Sequence, residues 1–247
     1  MILSAKTVYV AFFTSMILSC GNVTEILQTM EDIATENTIP SNLEIGNGLK
    51  EALVKGTTLG VNSLSQEGGY LNNTTFKIPF PKDAQKIEST LRNIGLDSQV
   101  DQVITSLNKA AENAVTEAKP LFVNAIKEMT FAEVKEILFG ADTAATSYLK
   151  QKTSMQLLQA FEPKIKTSLD QVNATKYWDD LVAVYNKVPL VKKMNPNLSE
   201  FVTQQAIKGL FIKIAEEEIE IRENPAERTT SLLKKVFGYA ASEKQKN

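Results

Sequence analysis

Helix start signals recur along this chain, and they constrain its fold more than any other feature of the sequence. Capping boxes, in which Ser or Thr is followed three residues later by Glu, occur at Ser41-x-x-Glu44 and Thr130-x-x-Glu133. Asn197-x-x-Glu200 and Asn224-Pro225-x-Glu227 place Asn at the capping position with the same spacing. Such pairs bind backbone N–H groups that have no partner in the first turn of a helix. They predict an all-α protein.

Glycines, prolines and further caps divide the mature sequence into about nine helices. Gly68-Gly69, Gly95, Gly140 and Gly238 are predicted stops, and Asp142 or Thr143 is predicted to cap the helix that begins at 144. The predicted helices cover 41–66, 82–94, 97–118, 130–140, 144–160, 163–172, 176–188, 197–223 and 224–238, with Pro120 either bending the third helix or opening another. Because the connections are short and no repeat is present, we predict one all-α domain over 41–238 and a disordered tail over 239–247.

One segment, near residues 75–80, is predicted to be extended rather than helical. It reads Thr75-Phe76-Lys77-Ile78-Pro79-Phe80 and is followed by Pro81. Proline has no backbone N–H to donate to a sheet, so a central strand is excluded. The segment is predicted to be an edge strand or an ordered arm.

The first twenty residues have the features of an export signal. Lys6 precedes an apolar run from Val8 to Leu18, which is too short for a membrane-spanning helix of about 20 residues. The run ends in Ile17-Leu18-Ser19-Cys20-Gly21, which resembles a bacterial lipobox. We therefore expect residues 1–19 to be a signal peptide, Cys20 to carry the lipid, and residues 20–40 to form a tether. A secreted protein without a lipid and an uncleaved anchor are the alternatives. This export signal predicts a protein that is anchored by its lipid on the periplasmic side of the cell envelope.

Residue types that the chain lacks exclude several kinds of function. It contains no histidine, which rules out Ser-His-Asp and Cys-His catalysis and His-ligated metal sites. Its single cysteine rules out an internal disulfide and a thiolate metal cluster. A formal net charge of −2 gives no electrostatic reason to expect nucleic acid as a partner. We predict no metal site, no cofactor and no nucleic-acid binding.

The predicted helix 198–223 carries two acidic residues at positions that should be buried. On a helical wheel, Glu217 and Glu218 fall inside the arc occupied by Leu210, Ile214 and Ile221. A buried carboxylate needs cationic or hydrogen-bonding partners.

Four other residues are predicted to complete a cluster with these carboxylates. Arg222 is four residues after Glu218, whereas Glu217 has no nearby partner on its own face of the helix and is expected to pair with Arg228 or Lys152. Lys152 lies on a helix stripe with Tyr148 that is expected to be buried. The cluster of Glu217, Glu218, Arg222, Arg228, Lys152 and Tyr148 is interpreted either as an ion-pair network that sets helix register or as a polar pocket, which includes a general acid/base site.

Several strings of the chain resemble the bacterial cell-envelope family called domain of unknown function 4197. They include Leu49-Lys50-Glu51-Ala52-Leu53, Lys77-Ile78-Pro79, Asn108-Lys109-Ala110-Ala111-Glu112, Asp142-Thr143-Ala144-Ala145-Thr146 and the residues from Ile214 to Gly238. The resemblance covers about residues 43–238. It implies an exported, helix-rich protein with a single domain that ends near Gly238, and it implies no assigned activity or catalytic residue.

Three functions remain open from the sequence. The first is a lipid-anchored envelope protein that binds another envelope protein or a small ligand through its helical surface. The second is a hydrolase-like enzyme that uses Glu217 as acid/base, with Lys152, Arg222 or Arg228 positioning the substrate. The third is a carrier of a hydrophobic small molecule.

Overall fold

A computed structural model of the chain describes residues 39–81, 84–93, 95–186 and 197–246. The predicted signal peptide, Cys20 and the tether up to residue 38 lie outside the described residues. In the described part the regular structure is helical and no residue forms a strand. The prediction of a single all-α domain is therefore confirmed.

Most of the helices are joined by connections of a few residues, and the exceptions are residues 66–84 and 186–197. They are α1 (Asn42–Ser65), α2 (Gln85–Asn93), α3 (Asp97–Val115), α4 (Ala118–Lys127), α5 (Phe131–Leu138), α6 (Ala144–Gln171), α7 (Ala174–Tyr185), α8 (Leu198–Glu223) and α9 (Ser231–Lys244), with a 3₁₀ turn at Pro225–Glu227. α8 packs against α1, α3 and α6, and α1 also packs against α4 and α9. α8 and α1 are thus the helices around which the core is built.

The predicted capping boxes form as expected. In both Ser41–Glu44 and Thr130–Glu133, the hydroxyl accepts the backbone N–H of the glutamate, and the glutamate accepts the backbone N–H of the capping residue. Asn197 accepts the N–H of Glu200 at the start of α8. Asn224 differs from the prediction, because its side chain caps the 3₁₀ turn, and Thr230 caps α9 instead.

Two predicted helix boundaries are wrong. Pro163 lies inside α6 rather than at the start of a new helix. It is on the exposed face, where water can bind the carbonyl that its missing N–H leaves free, while Leu157, Phe161 and Ile165 continue one buried stripe past it. Gly238 does not end α9, which continues to Lys244, so residues 239–244 of the predicted tail are helical. Gly238 lacks the positive φ that ends a helix, whereas Gly95 has it, with φ of 84°.

The segment near residues 75–80 is a buried arm and not an edge strand. Its alternate residues Phe76, Ile78 and Phe80 are buried, and Phe80 stacks on Trp178 with ring centroids 5.4 Å apart. The partner of its backbone is a side chain. The N–H of Ile78 donates to Asn108 Oδ1 at 2.8 Å, and Asn108 Nδ2 donates to the Ile78 carbonyl at 2.9 Å. One amide group thus takes the place of a neighbouring strand, and of the two predicted alternatives it is the ordered arm that forms.

Candidate functional site

The most enclosed part of the predicted cluster is the pair of Glu218 and Arg222 on α8. Arg222 donates to Glu218 Oε1 from Nε at 3.0 Å and from Nη2 at 2.8 Å. Both side chains are only 7% exposed. The i,i+4 pairing predicted from the sequence is therefore present, and it lies in the interior of the protein.

Each member of this pair also binds the end of another helix. Glu218 accepts the backbone N–H groups of Ala145 and Thr146 at 3.0 and 2.8 Å, together with the Thr146 hydroxyl at 2.8 Å. These N–H groups belong to the first turn of α6. Arg222 donates to the carbonyls of Leu138 and Ile137 at 3.1 and 2.9 Å, at the end of α5. A carboxylate at a helix start and a guanidinium at a helix end both complement the helix dipole.

The cap of α6 is consequently different from the one predicted. Thr143 occupies the capping position but makes no side-chain cap, and Asp142 pairs with Lys244 at 2.8 Å. The capping group is Glu218, which reaches α6 from a helix more than seventy residues away in sequence. Local spacing could not identify this cap because the capping group is remote.

Arg228, which follows the 3₁₀ turn, binds the C-terminal end of α8. Its Nε donates to the Ile221 carbonyl at 3.1 Å and its Nη2 to the Arg222 carbonyl at 2.6 Å. The guanidinium also lies over the Phe237 ring, 6.0 Å from the centroid. Arg228 is 8% exposed. It satisfies two carbonyls that the end of α8 leaves without helical partners.

Glu217 has a partner that the sequence interpretation missed. Lys213, four residues earlier on α8, places its Nζ 2.8 Å from Glu217 Oε1. Partial burial disfavours the charge of Lys213, but the hydrogen bonds to Glu217 and Glu216 outweigh it and raise the lysine pKa. The Glu217 side chain is 18% exposed. The prediction that Glu217 has no partner on its own face of α8 is wrong, because Lys213 lies one helical turn earlier and pairs with it.

Lys152 and Tyr148 form a separate group on α6. Lys152 Nζ lies 3.1 Å from Glu133 Oε1, and its side chain is 47% exposed. The ammonium also lies 5.3 Å from the centroid of Tyr148, whose hydroxyl donates to the Ala125 carbonyl at 3.4 Å. The hydrogen bond to Glu133 raises the pKa of Lys152, and burial chiefly raises that of Tyr148. The stripe through Lys152 and Tyr148 was predicted to be buried, and this is wrong at Lys152, which is exposed.

The predicted cluster is thus divided into several groups, of which Glu218 with Arg222 is the most enclosed. A cavity of about 20 Å³ lies beside this pair, with Leu49, Gly56 and Phe237 in its wall. That space holds about one water molecule. It is too small for a substrate.

A larger depression runs along the surface between α6 and α8, and we call it the α6–α8 groove. Its volume is about 550 Å³. α6 contributes mainly hydroxyl groups and one ammonium, from Thr143, Thr146, Ser147, Lys150 and Ser154, with Leu158 at the far end. α8 contributes mainly apolar side chains, namely Ile207, Phe211, Ile212 and Ala215, together with Gln204 and Lys208. The groove is within the size range of small-molecule sites, about 300–1,000 Å³.

The comparisons with known proteins identify a family. The model of the family described as "Protein of unknown function (DUF4197)" matches residues 39–238. The chain belongs to this family. The comparisons with curated proteins and with solved structures gave no match. The predicted resemblance is therefore confirmed, and the family description assigns no activity.

The region matched by the family model contains the whole predicted cluster and the α6–α8 groove. In the described residues of this family member, no group of three or more acidic or cysteine side chains is placed to hold a metal ion. None of the helices that the structure describes is long and apolar enough to cross a membrane.

Sequence reasoning missed two features of the family member. Glu112 is 5% exposed and accepts the backbone N–H groups of Tyr70 and Leu71 at 3.1 and 3.2 Å. Its position on the buried face of α3 could have been found with the wheel used for α8. The α6–α8 groove could not have been found in this way, because it depends on how two helices pack.

Proposed function

We propose that this chain is an exported bacterial envelope lipoprotein whose helical body binds a small ligand in the α6–α8 groove. The support for the address is the apolar run from Val8 to Leu18 followed by the lipobox-like residues up to Cys20. The support for ligand binding is the groove, whose shape and lining carry the proposal. Membership of a family without assigned activity is compatible with a binding module.

The lining of the groove combines apolar contact area with polar groups. Ile207 and Phe211 are 8% and 6% exposed and form its floor. Ser147 and Ser154 bind carbonyls of their own helix, which leaves their oxygens able to accept hydrogen bonds. Ligand sites typically have this combination of a mainly apolar surface and a few polar groups.

Two exposed lysines supply the charge of the groove. Lys152 and Lys213, on the same two helices but outside the groove, each pair with a glutamate. Lys150 and Lys208 line the groove, and neither has an ion-pair partner among the described residues. Two ammonium groups without counterions beside an apolar floor favour a ligand that supplies the negative charge.

Native mass spectrometry tests ligand binding. The mature protein is purified from envelope extract as wild type, as Ala215→Trp, which fills the groove, and as Gln151→Trp, an exposed position of α6 outside the groove. We expect the native mass of the wild type and of Gln151→Trp to exceed the denatured mass reproducibly, and the native and denatured masses of Ala215→Trp to be equal. A bare wild-type mass, or equal excess mass on all three proteins, would contradict binding in the groove.

The proposed lipid anchoring has an independent test. Replacement of Cys20 by Ser removes the only residue that can carry the lipid, so we expect the protein to move from the membrane fraction to the soluble periplasmic fraction. Unchanged membrane association would contradict lipid anchoring. This result would leave the groove experiment unaffected.

A further inference from the structure

We propose that the ligand of the α6–α8 groove is a fatty acid, whose carboxylate binds Lys150 and Lys208 and whose acyl chain lies along the floor. This inference rests on the proposed function and names the ligand class. It is carried by three observations, namely the polarity of the two walls, the charge of the lining and the length of the groove.

The two walls of the groove differ in chemistry. The α6 wall presents hydroxyls and the Lys150 ammonium, whereas the α8 wall presents Ile207, Phe211 and Ile212. A ligand that fits both walls has a polar end and an apolar body. A sugar would leave the apolar wall without a complementary surface, and a neutral hydrocarbon would leave the lysines without a partner.

The charge of the lining selects an anion. Lys150 and Lys208 are the charged residues that line the groove, and no carboxylate lines it. The chain as a whole has a formal net charge of −2, so this positive groove is a local feature. Lysine side chains are long and flexible, which allows ammonium groups from opposite walls to converge on one carboxylate.

The length of the groove favours a linear ligand. It extends from Thr143 to Leu158 on α6, which at 1.5 Å per residue is about 22 Å. On α8 it extends from Gln204 to Ala215, or about 16 Å. An α-helix of a partner protein is about 10 Å wide and would need apolar contacts on both walls. A single acyl chain needs only the one apolar wall that the groove has.

The test compares two probes of equal chain length, one with an anionic carboxylate head group and one with a neutral hydroxyl. Binding of dodecanoate and of dodecan-1-ol to the mature protein is measured by titration calorimetry at micromolar concentration. The variants are Lys150→Gln/Lys208→Gln and a control, Lys109→Gln/Lys119→Gln, which removes two exposed lysines outside the groove. We expect dodecanoate to bind more tightly than the alcohol, and the groove variant to weaken dodecanoate about tenfold while the control does not.

Failure of this inference is distinguishable from failure of the proposed function. Equal binding of acid and alcohol, or equal affinity of the groove and control variants, would overturn the fatty-acid assignment. The absence of dodecanoate binding would also overturn the assignment, as would a neutral lipid or an acidic peptide identified from the native excess mass. Each of these outcomes would leave the groove as a ligand site. Dodecanoate binding that Ala215→Trp leaves unchanged would place the fatty acid outside the groove and overturn the assignment, whereas a native excess mass that Ala215→Trp leaves unchanged would overturn both proposals.

Discussion

Removal of the Arg222 guanidinium should destabilise the protein far more than removal of an exposed cation with the same spacing. In Arg222→Met, Glu218 keeps its contacts with α6 but loses its cation in a site where its side chain is 7% exposed. The carbonyls of Ile137 and Leu138 lose their donor as well. Breaking a buried ion pair from one side typically costs about 3–5 kcal/mol. We expect a loss in this range.

The matched control is Lys166→Met on α6. Lys166 and Asp170 are also four residues apart and 2.7 Å from each other, but their side chains are 64% and 44% exposed. Exposed pairs contribute about 0–1 kcal/mol. Urea unfolding at pH 7 gives both free energies by linear extrapolation. Similar losses for the two variants would refute the reasoning that burial and helix-end contacts make Glu218–Arg222 strong.

A second variant separates the ion pair from the packing around it. Glu218→Gln/Arg222→Met removes both charges, so no uncompensated carboxylate remains in the interior. Because the two residues share one interaction, the double variant should lose less free energy than the sum of the two single variants. Strict additivity would show that the two side chains act independently.

Three further predictions concern the packing, the pH dependence and the buried arm. Gly48→Ala should destabilise the protein by about 1–3 kcal/mol, because the new Cβ would lie 2.7 Å from a valine methyl of α9. Gly46→Ala should stabilise the protein, because nothing lies within 4 Å of its new Cβ. Thermal unfolding that ranks the two variants the other way would contradict this prediction. A lysine hydrogen bond lowers the pKa of Glu44 to about 2, and a capping N–H lowers that of Glu133 to about 2, both from 4.5. The stability they contribute is therefore complete above pH 4.5 and is lost as the pH falls towards 2, and Glu44→Gln/Glu133→Gln should flatten this fall in an acid titration of unfolding. Asn108→Ala leaves a buried N–H and a buried carbonyl unpaired, at about 1–3 kcal/mol each, so an unchanged urea midpoint would show that the arm does not depend on this amide.

The parts of the fold that were predictable are those set by residues close in sequence. A capping box depends on two side chains three residues apart, which is why Ser41 with Glu44 forms as expected. At Pro163, by contrast, the local signal predicted the wrong helix boundary. The ring removes one helical hydrogen bond, but the buried stripe of α6 continues past it and keeps the helix intact. Tertiary packing therefore decided a boundary that local signals favoured.

In the candidate site, too, tertiary packing decided features that the sequence pattern could not predict. The wheel placed Glu217 and Glu218 on one apolar arc, yet only Glu218 is buried. Where α1 crosses α8, Gly56 contributes no side chain over Glu217, and the carboxylate extends to Lys213. Glu218 instead faces the start of α6. A search for partners by charge considers only cations, whereas most of the groups that Glu218 binds are the N–H groups and hydroxyl of a helix end. The interior position of an acidic residue was therefore predictable from periodicity, but its role was not, because a helix end is a partner that the sequence does not display as a residue type.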